Sequence, residues 1–133
     1  MAPTAFRRVT TALAVGAAAV TALAVTTSGT AHAGAAGFYV SLRTHSNVRT
    51  APNTQNTPVL NTGPTTDRYH LDGVCYVRGQ RVTAGGYTTD VWYRGTVHDS
   101  VIGSGGPYRG VHVWGGNVNI GQDPSDSVGV CAN

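Results

Sequence analysis

Two short stretches decide the fold of this chain: Asp90-Val91-Trp92-Tyr93-Arg94-Gly95 and Gly110-Val111-His112-Val113-Trp114. Side chains alternate between the two faces of a β-strand. Val91 and Tyr93 therefore share one face, as do Val111 and Val113. We predict two strands whose valine faces enter the core. The opposite faces either form an aromatic, partly polar surface, or bury both tryptophans, or cover an open end of a barrel.

Similar short, β-rich runs fill the rest of the chain and are separated by Gly, Pro, Asn, Thr and Ser. No window shows the three-to-four-residue apolar spacing of an amphipathic helix. Many short strands with turn signals between them are typical of a small barrel or sandwich. The sequence therefore predicts an all-β fold, with strands at 37–43, 47–50, 59–61, 69–77, 80–84, 90–97, 110–114, 118–120 and 127–131.

The beginning of the chain has the pattern of an export signal. Arg7-Arg8 precede an uncharged run rich in Ala, Val and Leu, and Ala31-His32-Ala33 offers a small-x-small cleavage site. We expect residues 1–33 to be a signal peptide removed after Ala33, and 34–133 to form one secreted domain. A membrane anchor is the alternative, but the run is short and Ala/Thr-rich, so we expect no membrane contact in the mature form.

The charges of this chain are all Arg and Asp, nine and six in number, with neither Lys nor Glu. The chain therefore has no Glu general base, no Schiff-base lysine and no Walker lysine. Removal of Arg7 and Arg8 lowers the net charge from +3 to +1. A nearly neutral domain has no strong electrostatic attraction for nucleic acid, so we expect no nucleic-acid partner.

The two cysteines of the chain, Cys75 and Cys131, both lie in the mature part. In an oxidising compartment, two cysteines in a small domain usually pair. They are 56 residues apart in the sequence. We predict one disulfide that fastens the C-terminal end to the middle of the sheet, and no reactive thiol.

The segment from Asn47 to Leu60 resembles the opening of bacterial SH3-like (SH3b) domains. It reads Asn47-Val48-Arg49, two residues, Pro52, a polar turn and the apolar pair Val59-Leu60. Cys75-Tyr-Val-Arg-Gly-Gln-Arg-Val-Thr followed by Thr89-Asp90-Val91-Trp92 is similar to the secreted actinobacterial branch of that family. The stretch 109–118 resembles its closing strand, followed here by a Gly-Gly-Asn turn.

The resemblance covers residues 39–131 and implies a small SH3-like barrel. The sequence departs from the family pattern at two places that shape its ligand groove. Gly63-Pro64-Thr65-Thr66-Asp67 replaces the usual Pro-x-Gly turn, and Val111 stands where Tyr or Trp often lies.

The resemblance also implies a ligand. Bacterial SH3-like domains present aromatic side chains along a groove, with Asn and Arg to fix a peptide backbone, and are associated with peptidoglycan peptides. The aromatic residues that could supply such a platform here are Tyr69, Tyr87, Trp92, Tyr93, Tyr108 and Trp114. The ligand-binding residues that we expect on this basis are Asn47, Arg49, Trp92, Tyr93, Tyr108, Trp114 and Asn117.

Catalytic and metal sites find little support in the sequence. His98 and Asp99 are adjacent and would point to opposite faces of a strand; His112 could pair with Asp90 or Asp99 across strands, which the sequence leaves open. The histidines lack zinc-ligand spacing. The segment 117–126 has too few carboxylates for a calcium loop and fits a turn closed by Asn and Asp side chains better. We predict no metal, no cofactor and no enzymatic activity.

Three functions remain open from the sequence. The first is a secreted, non-catalytic SH3-like module that contacts cell-wall peptidoglycan or its peptides. The second is a secreted effector or inhibitor that binds an extracellular protein partner through the same face. The third is a small hydrolase.

Overall fold

The structure, a computed structural model, describes residues 37–118 and 120–133. The predicted signal peptide therefore lies outside the described residues. Within them the strands are β1 (Phe38–Ser41), β2 (Asn47–Arg49), β3 (Leu60–Asn61), β4 (Tyr69–Ala84), β5 (Tyr87–Asp99), β6 (Tyr108–Trp114) and β7 (Gly129–Val130). A 3₁₀ turn, Gly115–Asn117, follows β6. No helix in this part of the chain is long and apolar enough to span a membrane.

The strands form one curled sheet in the order β1-β4-β5-β6-β2-β3, in which every neighbouring pair is antiparallel. The curl brings the segment after β1 to the segment after β6, where Leu42 pairs with Val118. The sheet is thus a half-barrel. This confirms the predicted all-β class and small barrel. Of the predicted strand 118–120, however, Val118 forms only that bridge and Ile120 lies in a bend.

Strands β4 and β5 are the centre of the sheet, and they differ from the prediction in one respect. The runs 69–77 and 80–84 are a single strand, because Gly79 lies in an irregularity of the pairing between Arg78 and Val82 rather than in a turn. The hairpin turns instead at Gly85-Gly86, where φ is +59° and +78°. Positive φ at both central residues is the requirement of a type I′ hairpin turn, which glycine meets without strain.

The core lies on the concave side of the half-barrel and is built mainly from Val, Leu and Tyr. Val91, Tyr93, Val111 and Val113 are all buried in it, which confirms the predicted core faces of β5 and β6. The remaining buried members are Leu42, Val48, Tyr69, Leu71, Val97, Val118 and Val128.

The C-terminal segment is fastened to the middle of β4, as predicted. Cys75 and Cys131 form a disulfide with their Cα atoms 4.8 Å apart. Beside it, β7 pairs in parallel with Cys75 and Tyr76, and the Cys131 amide donates to the Tyr76 carbonyl at 2.8 Å. The cross-link therefore holds a two-residue strand that could not pair stably alone.

Candidate ligand-binding site

Trp92 and Trp114 are both buried, with 1% and 5% of their surface exposed. The Nε1 of Trp92 donates to the Gln80 carbonyl at 2.9 Å, and the Nε1 of Trp114 donates to the Thr89 carbonyl at 3.0 Å. Of the alternatives that the sequence left open, burial is therefore the one that the structure adopts. The faces opposite the valines do not form an open aromatic surface.

The two indoles nevertheless reach one concave site, which we call the tryptophan pocket. It encloses about 180 Å³. This is smaller than the roughly 300–1,000 Å³ of typical small-molecule sites, so it can hold one group of a ligand rather than a nucleotide or an oligosaccharide. Its lining residues come from five separate parts of the chain: His45, Asn47, Arg49, Thr54, Val82, Ala84, Trp92, Trp114 and Asn117.

Five of the seven expected ligand residues line this pocket: Asn47, Arg49, Trp92, Trp114 and Asn117. The other two lie elsewhere. Tyr93 is fully buried on the core side of β5, where its ring meets Phe38 edge-on at 5.0 Å. Tyr108 begins β6 opposite Val97 and packs against the core.

Arg49 acts on the loop that forms one wall of the pocket, because its guanidinium is turned toward that loop. The side chain is almost completely buried, and Nη1 donates to the carbonyls of Thr54 and Asn56. Gln80 holds the same loop from the other side, since its Oε1 accepts from Thr54 N at 2.7 Å and Thr54 Oγ1 at 2.9 Å. Arg49 is thus a positioning residue for the wall at Thr54.

The two amide side chains differ from Arg49 in being only half-buried. Asn47 Oδ1 accepts a hydrogen bond from Asn61 Nδ2 at 2.7 Å, which orients the amide. Asn117 is fixed through its backbone, whose carbonyl accepts from the Arg43 amide at 3.0 Å. An amide group both donates and accepts, so this pair suits the N–H and C=O of a peptide.

His45 is a lining residue that sequence reasoning missed. Its backbone is in the left-handed region, with φ of +55°. Its amide donates to the Gly63 carbonyl at 2.7 Å. A non-glycine residue held in that region is uncommon and often lies at a functional site. The only sequence signal for it is its position two residues before Asn47.

A second pocket of about 150 Å³, here the aspartate pocket, is centred on Asp123. The Tyr87 hydroxyl donates to Asp123 Oδ2 at 2.6 Å and the Tyr93 hydroxyl to Oδ1 at 2.5 Å. The hydrogen bond to Asp123 raises the pKa of Tyr87 to about 12, and burial together with the same carboxylate raises the pKa of Tyr93 further. The segment 117–126 is thus held to the sheet by Asp123 rather than only closed by local side-chain bonds.

His112 forms neither of the two carboxylate pairs that the sequence left open. His112 lies opposite Arg49 and Arg94, not opposite Asp90 or Asp99. Burial and the charge of Arg94 lower the pKa of His112, against a backbone hydrogen bond to Thr50 that raises it. Asp90 is ion-paired with Arg78 at 2.6 Å.

Asp99 is likewise bound by other groups of the protein. Both its oxygens accept from Arg68, at 2.9 and 2.8 Å, and they also accept from Val101 N and Ser104 Oγ. These bonds, chiefly those from Arg68, hold the pKa of Asp99 well below its usual range. Among residues 37–118 and 120–133, no group of three His, Cys, Asp or Glu residues is placed to hold a metal ion.

The fold and these two pockets define a small, disulfide-linked β half-barrel with two small concave sites. Comparison of the chain with protein-family models, with curated proteins and with solved structures finds no match.

Proposed function

We propose that this protein is a secreted, non-catalytic SH3-like binding module that contacts cell-wall peptidoglycan or its peptides. The observation that supports this best is the tryptophan pocket. It brings Asn47 and Asn117, two polar residues expected to contact a peptide, together with Trp92 and Trp114, while Arg49 holds its wall.

The chemistry of the pocket favours a short, uncharged stretch of peptide. The half-buried amides offer both donors and acceptors to a peptide backbone. The indole edges with Val82 and Ala84 give an apolar wall against which small side chains can pack. A volume of about 180 Å³ suits small residues such as Gly or Ala.

The state of three carboxylates supports a binding role rather than catalysis by one of them. Asp90 and Asp99 are held in ion pairs with arginines, and Asp123 accepts from two tyrosine hydroxyls. A carboxylate acts as a general base only when it is free and within reach of the reacting proton. None of these three carboxylates lines the tryptophan pocket.

The test is a pull-down of the purified protein with insoluble peptidoglycan at moderate salt. We expect the wild type to be retained, and Asn47→Ala and Asn117→Ala to lose about tenfold in affinity, since each removes peptide hydrogen bonds. Gln55→Ala is the matched control, because this exposed amide lies outside the pocket. Wild-type protein that stays in solution would overturn the proposal, and release of soluble wall fragments would overturn its non-catalytic part.

A second candidate, an effector or inhibitor that binds a protein partner, is favoured by the loop between β5 and β6. Ile102 is completely exposed and Val101 is half exposed. The base of the loop is fixed, since Asp99 accepts from Val101 N at 2.9 Å and from Ser104 Oγ at 2.6 Å. An ordered apolar tip is typical of protein contacts. Under this function, wild-type protein should capture a discrete partner from culture supernatant and Ile102→Ser should not. Capture of the same material by both proteins would exclude a partner that binds at this loop.

A further inference from the structure

The aspartate pocket contains two opposite charges that do not neutralise each other. Arg43 and Asp123 both line it. Neither is in an ion pair with the other, and within the described residues the ion pairs that form involve Arg68, Arg78 and Arg81 instead. A positively charged and a negatively charged residue thus line one small space.

The Asp123 carboxylate is fixed but still able to accept. Its two oxygens receive one hydroxyl hydrogen bond each, whereas a carboxylate can accept about four. The donors are neutral, so the negative charge remains. The carboxylate also lies against Gly115, where an added Cβ would contact its Cγ at 2.8 Å. Its position is therefore set before any ligand arrives.

The size of the pocket limits what can bridge these charges. The pocket has a volume of about 150 Å³, below the roughly 300–1,000 Å³ of typical small-molecule sites, so only a small group enters it. Val118 and Ile120 supply apolar contacts, and Gly116 and Gly121 leave backbone groups uncovered by side chains. The space fits a single small residue that carries both an ammonium and a carboxylate.

The two pockets lie side by side, because the same three chain segments line both. Arg43 and His45 come from one turn, and Ala84 and Tyr87 from the β4–β5 hairpin. In the third segment, Trp114 and Asn117 line the tryptophan pocket while Gly115 and Gly116 line the aspartate pocket. A peptide bound in the tryptophan pocket can therefore place a side chain in the aspartate pocket.

We propose that the aspartate pocket binds an amino-carboxylate zwitterion, with the carboxylate on Arg43 and the ammonium on Asp123. Where that group is part of a wall peptide, as the side-chain end of a diamino dicarboxylic acid residue, the inference deepens the proposed function and rests on it. Charge-assisted hydrogen bonds at both ends give selectivity for a ligand that carries both groups.

The test is an NMR titration of the isotope-labelled protein with alanine, N-acetylalanine and alaninamide. We expect alanine to shift the amide signals of Gly115, Gly116 and Gly121, and each capped form to bind about tenfold more weakly or worse, since each lacks one charge-assisted bond. Arg43→Gln should remove the preference for alanine over alaninamide. Arg109→Gln, an exposed arginine outside both pockets, should leave it unchanged. Equal binding of all three probes, or an unaltered preference in Arg43→Gln, would overturn the inference.

Asp123→Asn tests the other end of the zwitterion, with thermal unfolding measured to verify that the variant is folded. It should remove the preference for alanine over N-acetylalanine; retention of that preference in a folded variant would contradict the ammonium contact. Soluble wall peptides form the second arm. If alanine binds and wall peptides do not, the zwitterion site stands and the wall function fails. If wall retention depends on Asn47 but alanine does not bind, the wall function stands and the zwitterion site fails.

Discussion

Trp92 and Trp114 lie directly opposite each other on neighbouring strands, on the face of the sheet away from the valine core. Each indole N–H is tied to a backbone carbonyl, of Gln80 and Thr89 respectively. The pair joins the hairpin to the closing strand and at the same time forms one side of the tryptophan pocket. The tryptophans therefore stabilise the site that a ligand would occupy.

Because both indoles are buried and hydrogen-bonded, their removal should lower the free energy of unfolding. Trp92→Phe and Trp114→Phe each leave a carbonyl without its donor, and we expect a loss of about 1–3 kcal/mol in the free energy of unfolding. Alanine at either position should cost about 3–5 kcal/mol. Urea unfolding measures this, and Tyr39→Phe, at an exposed ring, is the control that should change little. A stable Trp→Ala variant would show that the indoles are not part of the packed structure.

Gly79 should tolerate no side chain. An added Cβ would meet Pro52 and would lie 2.9 Å from Trp92 Cδ1. Gly79→Ala therefore pushes the 50–56 loop away from the sheet, and we expect a loss of about 1–3 kcal/mol together with weaker wall retention. Gly129→Ala is the matched control, because a Cβ there meets nothing within 4 Å. Equal stability of the two variants would contradict the close approach at Gly79.

The disulfide should account for a sizeable part of the stability. Closing a loop between residues 56 positions apart stabilises the folded state by about 4 kcal/mol on the chain-entropy model, and about 2–4 kcal/mol is the usual range. We expect Cys75→Ser/Cys131→Ser to unfold at lower urea by this amount, as should reduced wild type. Thiol labelling of the denatured, unreduced protein should find no reactive cysteine; two labelled thiols would be inconsistent with the cross-link.

The ion pair of Asp99 with Arg68 should make stability depend on acid pH. The pKa of Asp99 is lowered on folding, so its contribution is complete above the unfolded pKa of about 4 and is lost as pH falls through the folded value. The difference in unfolding free energy between wild type and Asp99→Asn should therefore shrink from about pH 5 to about pH 2. Asp90→Asn, in a more exposed pair, should differ less from wild type throughout. A pH-independent difference for Asp99→Asn would contradict the ion pair.

The Tyr87 hydroxyl should ionise at an unusually high pH. Its pKa is raised to about 12 by the hydrogen bond to Asp123, so this contribution to stability is present below the unfolded pKa of about 10 and is lost as pH rises above it. Tyrosinate absorbance of wild type minus that of Tyr87→Phe should show the late titration, and Asp123→Asn should move it toward about 10. An ordinary titration of Tyr87 in wild type would mean that Asp123 does not accept from it.

Much of this architecture can be predicted from local patterns in the sequence. Alternation at Val91 and Tyr93, or Val111 and Val113, needs only consecutive residues, and it correctly located the core faces. Two cysteines leave one intramolecular pairing. Gly79 was misassigned because a glycine in a bulge and a glycine in a turn look the same until the partner strand is known.

The site is formed by contacts between residues far apart in the chain, and no local sequence pattern predicts such contacts. Asn47, Arg49 and Asn117 could be expected from motif positions, whereas Arg43, Tyr87 and Asp123 meet only because separate segments fold onto one end of the half-barrel. Strand periodicity and cysteine pairing are fixed by neighbouring residues and by composition, so the sequence by itself determined the all-β class, the core face and the disulfide. Burial of the tryptophans and the joining of two opposite charges in one pocket arise from packing between residues far apart in the chain, and only the tertiary structure decided them.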